Sequence, residues 1–502
     1  MAHNLGLCLT FNQPKQNGYK MKEFFYPERV AVFGVANSAR NLAKNIVEHC
    51  LEMGFKGEIY PVGRKKGSIC GRNILTDPDL LPNGIDLAVI LVPAPYVAKT
   101  LEICGRKGIR HAIISTGGFR EFTGQCSETE EKILEVTRRY GIRFIGPNCI
   151  GVICPSSGLC TPFNPIQPHY LKSGPVGLII QSGGVTTQAS YHFSEEHVGF
   201  SKIISAGNKL DLNENDFIEY FLDDDDTKQI HLYLESIDEG RKFMKLVKGS
   251  TKPIVVFKAN VSRAASCVAY SHTAALANND MVVDGALKQS GVIRVNSLHE
   301  MVVAAKALML PPLRGNRLAV LSFSGGFSVV LADACEKHGF VCPTLPDHII
   351  SKLEKTRRAG VIRLNNPMDL GDIHDPSALL GAIETCIDLD YIDGLVLALI
   401  YDAKLEKIFG QRFGTPEQIL DFLQALSRDK DKPITFSILA HRSNIEEFKK
   451  VGSYPVFDSP EESVFAMRIL AEHWSRKAHF MSSHSPVEDF ASSSTDSFNA
   501  GE

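Results

Sequence analysis

The run G-L-I-I-Q-S-G-G-V-T-T-Q-A, Gly177 to Ala189, decides how this chain is to be read. Four apolar or small residues without a polar alternation form a strand buried on both faces, as parallel sheets require. Gln181-Ser182-Gly183-Gly184 then turns the chain into a helix. The same strand-then-S-G-G pattern returns at Arg317 to Gly326, an internal repeat. Other continuous apolar runs follow the same rule: Arg29 to Phe33, Asp86 to Pro93, His111 to Ser115, Phe200 to Ser205, Gln229 to Glu235, Pro253 to Lys258, Gly394 to Ile400 and Pro433 to Leu439. Helical stretches separate them, so the chain is α/β with parallel sheets.

At 502 residues the chain is too long for one core and suggests about three domains. Hydrophobic content of 44%, charged content of 22% and a net charge of −3 describe an ordinary globular protein. They give no electrostatic case for a nucleic-acid or membrane-surface partner. No apolar run reaches the roughly 18 to 20 residues a membrane span needs, and the first twenty residues do not read as a signal peptide. Twelve cysteines without framework spacing fit reduced thiols and a cytoplasmic location. Cys149, Cys154 and Cys160 match no zinc spacing, and no metal site is expected.

The expected architecture is an N-terminal Rossmann-like domain, residues 21–151, followed by two flavodoxin-like doubly wound parallel-sheet domains, 152–310 and 311–475. Residues 1–20 read as a flexible extension. The Ser- and Asp-rich tail, 476–502, reads as disordered. Pro311-Pro312-Leu313-Arg314-Gly315 is a linker by composition.

In such folds, sites gather at the carboxyl ends of the strands. There the second domain collects Ser182, Gly183, Gly184, Gly207, Asn208, Glu235 and, in the loop Ser266 to Asn279, His272. Glycine amides at a helix start suit a phosphoryl group. A carboxylate at a strand end can orient a histidine and free its other ring nitrogen as a nucleophile. Together these are the parts of a phosphohistidine site, with His272 and Glu235 as its catalytic pair. Asp223 to Asp226, four consecutive acids, read as a solvated helix end.

In the first domain the turn Gly34-Val35-Ala36-Asn37-Ser38 lacks the G-x-G-x-x-G spacing. After the second strand, Arg64-Lys65-Lys66 stands where a ribose-binding acid would be. Three basic residues suit a phosphorylated ribose, as in coenzyme A or NADP.

Several blocks resemble the α subunit of ADP-forming acyl-CoA synthetases, relatives of the succinyl-CoA synthetase α chain. They are Q-S-G-G, L-Y-L-E-S, S-A-G-N-K-L-D-L, Y-S-H-T-A-A-L-A and, in the first domain, F-K-G-E-I-Y-P-V-G-R-K, L-A-V-I-L-V-P-A, I-I-S-T-G-G-F-R-E and F-I-G-P-N-C-I-G. The resemblance spans roughly residues 22 to 474. It implies a phosphorylated His272 oriented by Glu235. It also implies coenzyme A on the first domain, held by Gly34, Asn37, Ser38, Arg64, Lys65, Lys66, Pro93, Pro147 and Asn148. The chain departs from the family at Ala274, at Asn278, and at Ala39, Arg40 and Ala43 of the first turn.

No Walker A stretch and no ATP-grasp unit is present. The resemblance therefore implies an ATP-grasp β subunit as partner, carrying ADP/ATP and Mg2+, with an acyl-CoA or small carboxylic acid and phosphate as the other reactants. The alternatives are a CoA- or acyl-CoA-binding regulatory protein with reduced catalysis and an NADP-dependent oxidoreductase.

Overall fold

A computed structural model describes residues 21–119, 128–262, 264–265, 279–355, 364–371, 376–402 and 414–483. His272, Ala274 and Asn278 lie outside them, as do residues 1–20 and 484–502.

Three sheets carry the fold. The first contains β1 (Arg29–Phe33), β2 (Glu58–Val62), β5 (Leu87–Ile90), β6 (His111–Ile114) and β7 (Arg143–Ile145), all parallel; a small hairpin, β3 (Ser68–Ile69) and β4 (Arg72–Asn73), lies beside it. Its order is β2-β1-β5-β6-β7. Each residue of β5 is fully buried, which is why its sequence shows no polar alternation.

The second sheet is built on β10 (Ser173–Ile180), β11 (Phe200–Ser205), β12 (Gln229–Leu234), β13 (Ile254–Lys258) and β14 (Ile293–Val295). Two short antiparallel strands from the connector, β8 (Gly151–Cys154) and β9 (Leu159–Cys160), extend it beyond β11. The third sheet holds β15 (Leu318–Ser322), β16 (Met368–Asp369), β17 (Gly394–Ile400), β18 (Ile434–Leu439) and β19 (Val456–Phe457), in the order β16-β15-β17-β18-β19.

Counted within each unit, all three sheets share one winding, 2-1-3-4-5. The chain turns one way for the second strand and the other way for the third. A crevice therefore opens beyond the carboxyl end of each first strand. The first sheet has this order too, in place of the longer two-halved order of dinucleotide-binding domains.

Two differences from the sequence reading concern charge and length. Asp223 to Asp226 are not simply solvated, because a fully buried Lys202 from β11 needs a counter-charge. Its ammonium pairs with Asp224 at 2.7 Å and lies within cation–π range of Tyr26 and Tyr220. The closing helix, Pro460–Ser483, runs past Lys477, and it packs on the Leu298–Ala307 helix and on the third sheet. Glu196, at the end of the Gly183–Glu195 helix, accepts hydrogen bonds from the buried Lys306 (2.5 Å) and Lys449 (2.6 Å), tying the second sheet's layer to the third's.

Candidate functional site

In the first unit, Gly34 has φ of 99° and comes so close to β5 that a Cβ there would sit 2.0 Å from the Leu91 carbonyl oxygen. Only glycine permits this approach. Asn41 then caps the Leu42–Glu52 helix: its side-chain oxygen accepts from the Lys44 and Ala36 amides, and its amide nitrogen donates to the Gly34 carbonyl. The exposed Asn37 and Ser38 are thus held on an ordered turn at the helix start. Gly63 brings the end of β2 onto that turn, with a would-be Cβ 1.9 Å from the Val35 carbonyl oxygen.

Arg64, Lys65 and Lys66 are exposed beside it. The Arg64 guanidinium lies 4.7 Å from the centroid of the Tyr96 ring, whose segment follows Pro93 at the end of β5. Asn37, Ser38, Arg64, Lys65, Lys66 and Pro93 therefore share the carboxyl edge of β1, β2 and β5. Asn41 and Tyr96 were missed in the sequence. A helix-capping Asn was legible there, but the Arg64–Tyr96 stacking needs two separate strand ends.

Pro147 and Asn148 meet the second unit. Asn148, at φ of 59°, donates its backbone N–H to the Thr116 carbonyl and its side-chain amide to Asn208 Oδ1 at 3.3 Å. The Asn208 N–H donates to the Pro147 carbonyl at 2.9 Å, and a Cβ on Gly207 (φ 62°) would collide with that oxygen at 2.3 Å. Residues expected to serve coenzyme A and residues expected to serve phosphate are in direct contact across the two sheets.

The second crevice lies where β10 and β12 part. Ser182 caps the Gly183–Glu195 helix, its hydroxyl accepting from the Val185 amide. Gly183 and Gly184 form the helix's first residues, with Gly184 exposed. Gln181, buried, accepts from both the Glu235 and Ser236 amides through one side-chain oxygen, at 2.9 and 3.1 Å. That side chain fixes the turn bearing Glu235 against the glycine loop. Burial, then the neighbouring Glu235, pushes the Tyr233 hydroxyl up to about 12.

Two buried lysines underlie this edge, and neither was expected. Lys258, the last residue of β13, donates to the Glu235 carbonyl at 2.8 Å and to the Ala259 carbonyl. Burial pushes its amine down to about 8; Asp280 partly opposes this, while Arg294 and Lys209 add to it. Lys209 pairs with Glu214 at 2.8 Å and Asp238 at 3.3 Å, and donates to the Ser236 carbonyl. Burial alone would lower its pKa, but the two carboxylates outweigh it and hold the amine above its ordinary value. β13 ends at Lys258, and Asn279 caps the Asp280–Gln289 helix; His272 lies in sequence between them, outside the described residues. Asn260, two residues past Lys258, is 6% exposed at φ of 60°, with neither side-chain polar atom hydrogen-bonded.

The repeat in the third unit keeps the glycine loop but not the rest: Ser324 precedes the Gly325–Lys337 helix, and the Asp369 carboxylate stands 2.8 Å from where a Gly325 Cβ would be. Among the described residues no group of three His, Cys, Asp or Glu side chains could hold a metal ion, and no helix is long and apolar enough to cross a membrane.

Two protein families match the chain: one described as a CoA binding domain over residues 28–155, and one described as a succinyl-CoA ligase like flavodoxin domain over 173–308. The subunit alpha of acetate–CoA ligase (ADP-forming) I from Pyrococcus furiosus is 30% identical over 91% of this chain and 98% of the relative. Subunit alpha of ligase II from the same organism is 36% identical over 69% of this chain and 75% of the relative. Among solved structures, the dinucleotide-forming acetyl-coenzyme A synthetase 1 of Ca. Korarchaeum cryptofilum, in complex with phosphate and ADP, matches with TM-score 0.81 and 27% identity, covering 93% of this chain and 99% of that one. On this sequence and structural similarity, the chain belongs to the family of α subunits of ADP-forming acetate–CoA ligases.

Proposed function

We propose that this chain is the α subunit of an ADP-forming acid–CoA ligase, interconverting acyl-CoA, ADP and phosphate with the carboxylic acid, CoA and ATP. One observation carries the reading: Gln181 joins the glycine loop to the Glu235 turn at the same edge where Asn148 and Asn208 link the two units. Phosphate attacks the thioester carbonyl of acyl-CoA, and the CoA thiolate leaves. His272 then attacks phosphorus of the acyl phosphate and the carboxylate departs. Glu235 orients the imidazole, and the amides of Gly183 and Gly184 balance charge on the moving phosphoryl group. ADP on an ATP-grasp partner, with Mg2+, accepts that group from His272. Arg64, Lys65 and Lys66 supply charge to a phosphate of coenzyme A, whose backbone-approaching segment fits the Cβ-free turn at Gly34 and Gly63. The reaction's solutes and the chain's surface suit the cytoplasm.

Labelled ATP tests the reading. The purified chain should stay unlabelled alone and acquire one acid-labile, alkali-stable phosphoryl group when the ATP-grasp partner is added. His272→Asn should abolish the label. If neither ATP with partner nor acyl phosphate labels the chain, the reading is wrong and a CoA-binding protein without turnover replaces it. Calorimetry in which NADP binds more tightly than CoA would return the oxidoreductase reading.

A further inference from the structure

Tyr96 stands at the carboxyl edge of the first sheet and is 47% exposed. Its main chain is nonetheless fixed. The Tyr96 N–H donates to the Pro93 carbonyl at 2.9 Å, and its own carbonyl accepts from the Thr100 hydroxyl at 2.9 Å. The next residue, Val97, is fully buried and opens the Val97–Arg106 helix. The half-exposed ring is therefore carried on an anchored base.

The Arg64 guanidinium sits over that ring, 4.7 Å from its centroid, and among the described residues Arg64 has no carboxylate partner. The pair joins two strand ends, since Arg64 follows β2 and Tyr96 follows β5. An arginine held by nothing spreads over many rotamers, and ordering it when a ligand arrives costs part of the affinity. A ring that already holds the guanidinium removes that cost in advance. It offers no oxygen to accept a hydrogen bond, so the N–H fork stays open to a phosphate, which can take two parallel bonds from it. A lysine ammonium over the same ring would present no such fork.

The place of the pair selects which phosphate it meets. In a strand-turn-helix-strand unit that binds a nucleotide, the pyrophosphate lies at the first turn and helix start, here Gly34 to Leu42, and the ribose lies at the end of the second strand. Arg64 is two residues past the end of β2. The ribose of coenzyme A carries a 3′-phosphate, and dephospho-coenzyme A lacks only that group. We propose that Tyr96 is a positioning residue for coenzyme A, its ring holding Arg64 toward the 3′-phosphate and so setting the preference for coenzyme A over dephospho-coenzyme A. The inference rests on the reading of the basic turn as part of the coenzyme A site.

Titration calorimetry of the full chain with coenzyme A and with dephospho-coenzyme A gives the ratio of the two affinities. Tyr96→Leu should lower that ratio about two- to fivefold, the worth of an exposed cation–π contact, and leave dephospho-coenzyme A binding unchanged. Tyr96→Phe, which keeps the ring face, should keep the parent ratio. Arg64→Ala should lower the ratio about tenfold or more, as loss of a charged bidentate bond does, and adding Tyr96→Leu to it should lower the ratio no further. Equal weakening of both ligands by Tyr96→Leu would make the ring a seat for the base or a support of the fold, and an unchanged ratio would leave the stacking without a task. A Phe variant as poor as Leu, or a Leu effect that adds to that of Arg64→Ala, would equally overturn the proposal. The underlying site is judged separately on the parent chain: if that chain does not prefer coenzyme A over its dephospho form, the reading of the basic turn fails before any variant is made.

Discussion

Gln181 shows what one side chain can settle. Its single oxygen serves two amides that have no strand partner, so Gln181→Ala leaves two half-buried N–H groups unpaired. That should cost roughly 1 to 3 kcal/mol of stability and slow the phosphorylation of His272 with little change in CoA affinity, a split that rapid-quench labelling and calorimetry would resolve. Lys258 offers a pH test. Its folded pKa of about 8 is below the ordinary lysine value, so the unfolded chain binds more protons between the two. This contribution opposes folding below pH 8 and is relieved as pH rises toward the unfolded value. Lys258→Met should flatten that rise, read as urea midpoints at pH 7.5 and pH 10 relative to the parent chain. The blocks that carry Glu235 and the proposed His272 can be read locally in the sequence. Gln181's partners, Lys258 and Lys209 cannot, because their contacts cross strands that are distant in sequence.

At the scale of elements, the proposed coenzyme A site depends on how closely two turns approach. Gly63→Ala would place a methyl group 1.9 Å from the Val35 carbonyl oxygen, so the basic turn must move away from Asn37 and Ser38. All three cations stay, yet CoA should bind at least tenfold more weakly by calorimetry. Unchanged affinity would mean that charge alone, without the turn's placement, holds the ligand. The strands and their parallel arrangement were readable from uninterrupted apolar runs. The shared 2-1-3-4-5 order was not, since burial on both faces marks a strand as interior without naming its neighbours. Strands β8 and β9 were also missed: at four and two residues they are too short to show a period.

Across the whole molecule, Glu196 and its two lysines decide whether the second and third units behave as one. Desolvation alone would raise the Glu196 pKa, but Lys306 and Lys449 outweigh it and hold the carboxyl below its ordinary value. Its stabilising effect is therefore present above the ordinary carboxylate range and is lost as pH falls through the folded value. Lys449→Met removes one partner of Glu196 and the partner of Asp458, and should cost roughly 3 kcal/mol. Scanning calorimetry should then show the single transition separating into two; a single, merely shifted peak would mean the closing helix alone couples the units.

The connector strand β8 follows the first unit in sequence, yet its hydrogen bonds run to β11. Expression of the second unit from residue 173 would thus strip β8 and β9 and bare the Phe200–Ser205 backbone, an invitation to edge-to-edge aggregation. A fragment begun at 150 keeps that edge covered and should stay dispersed, so the place to divide this gene lies ahead of Gly151 and not at residue 173.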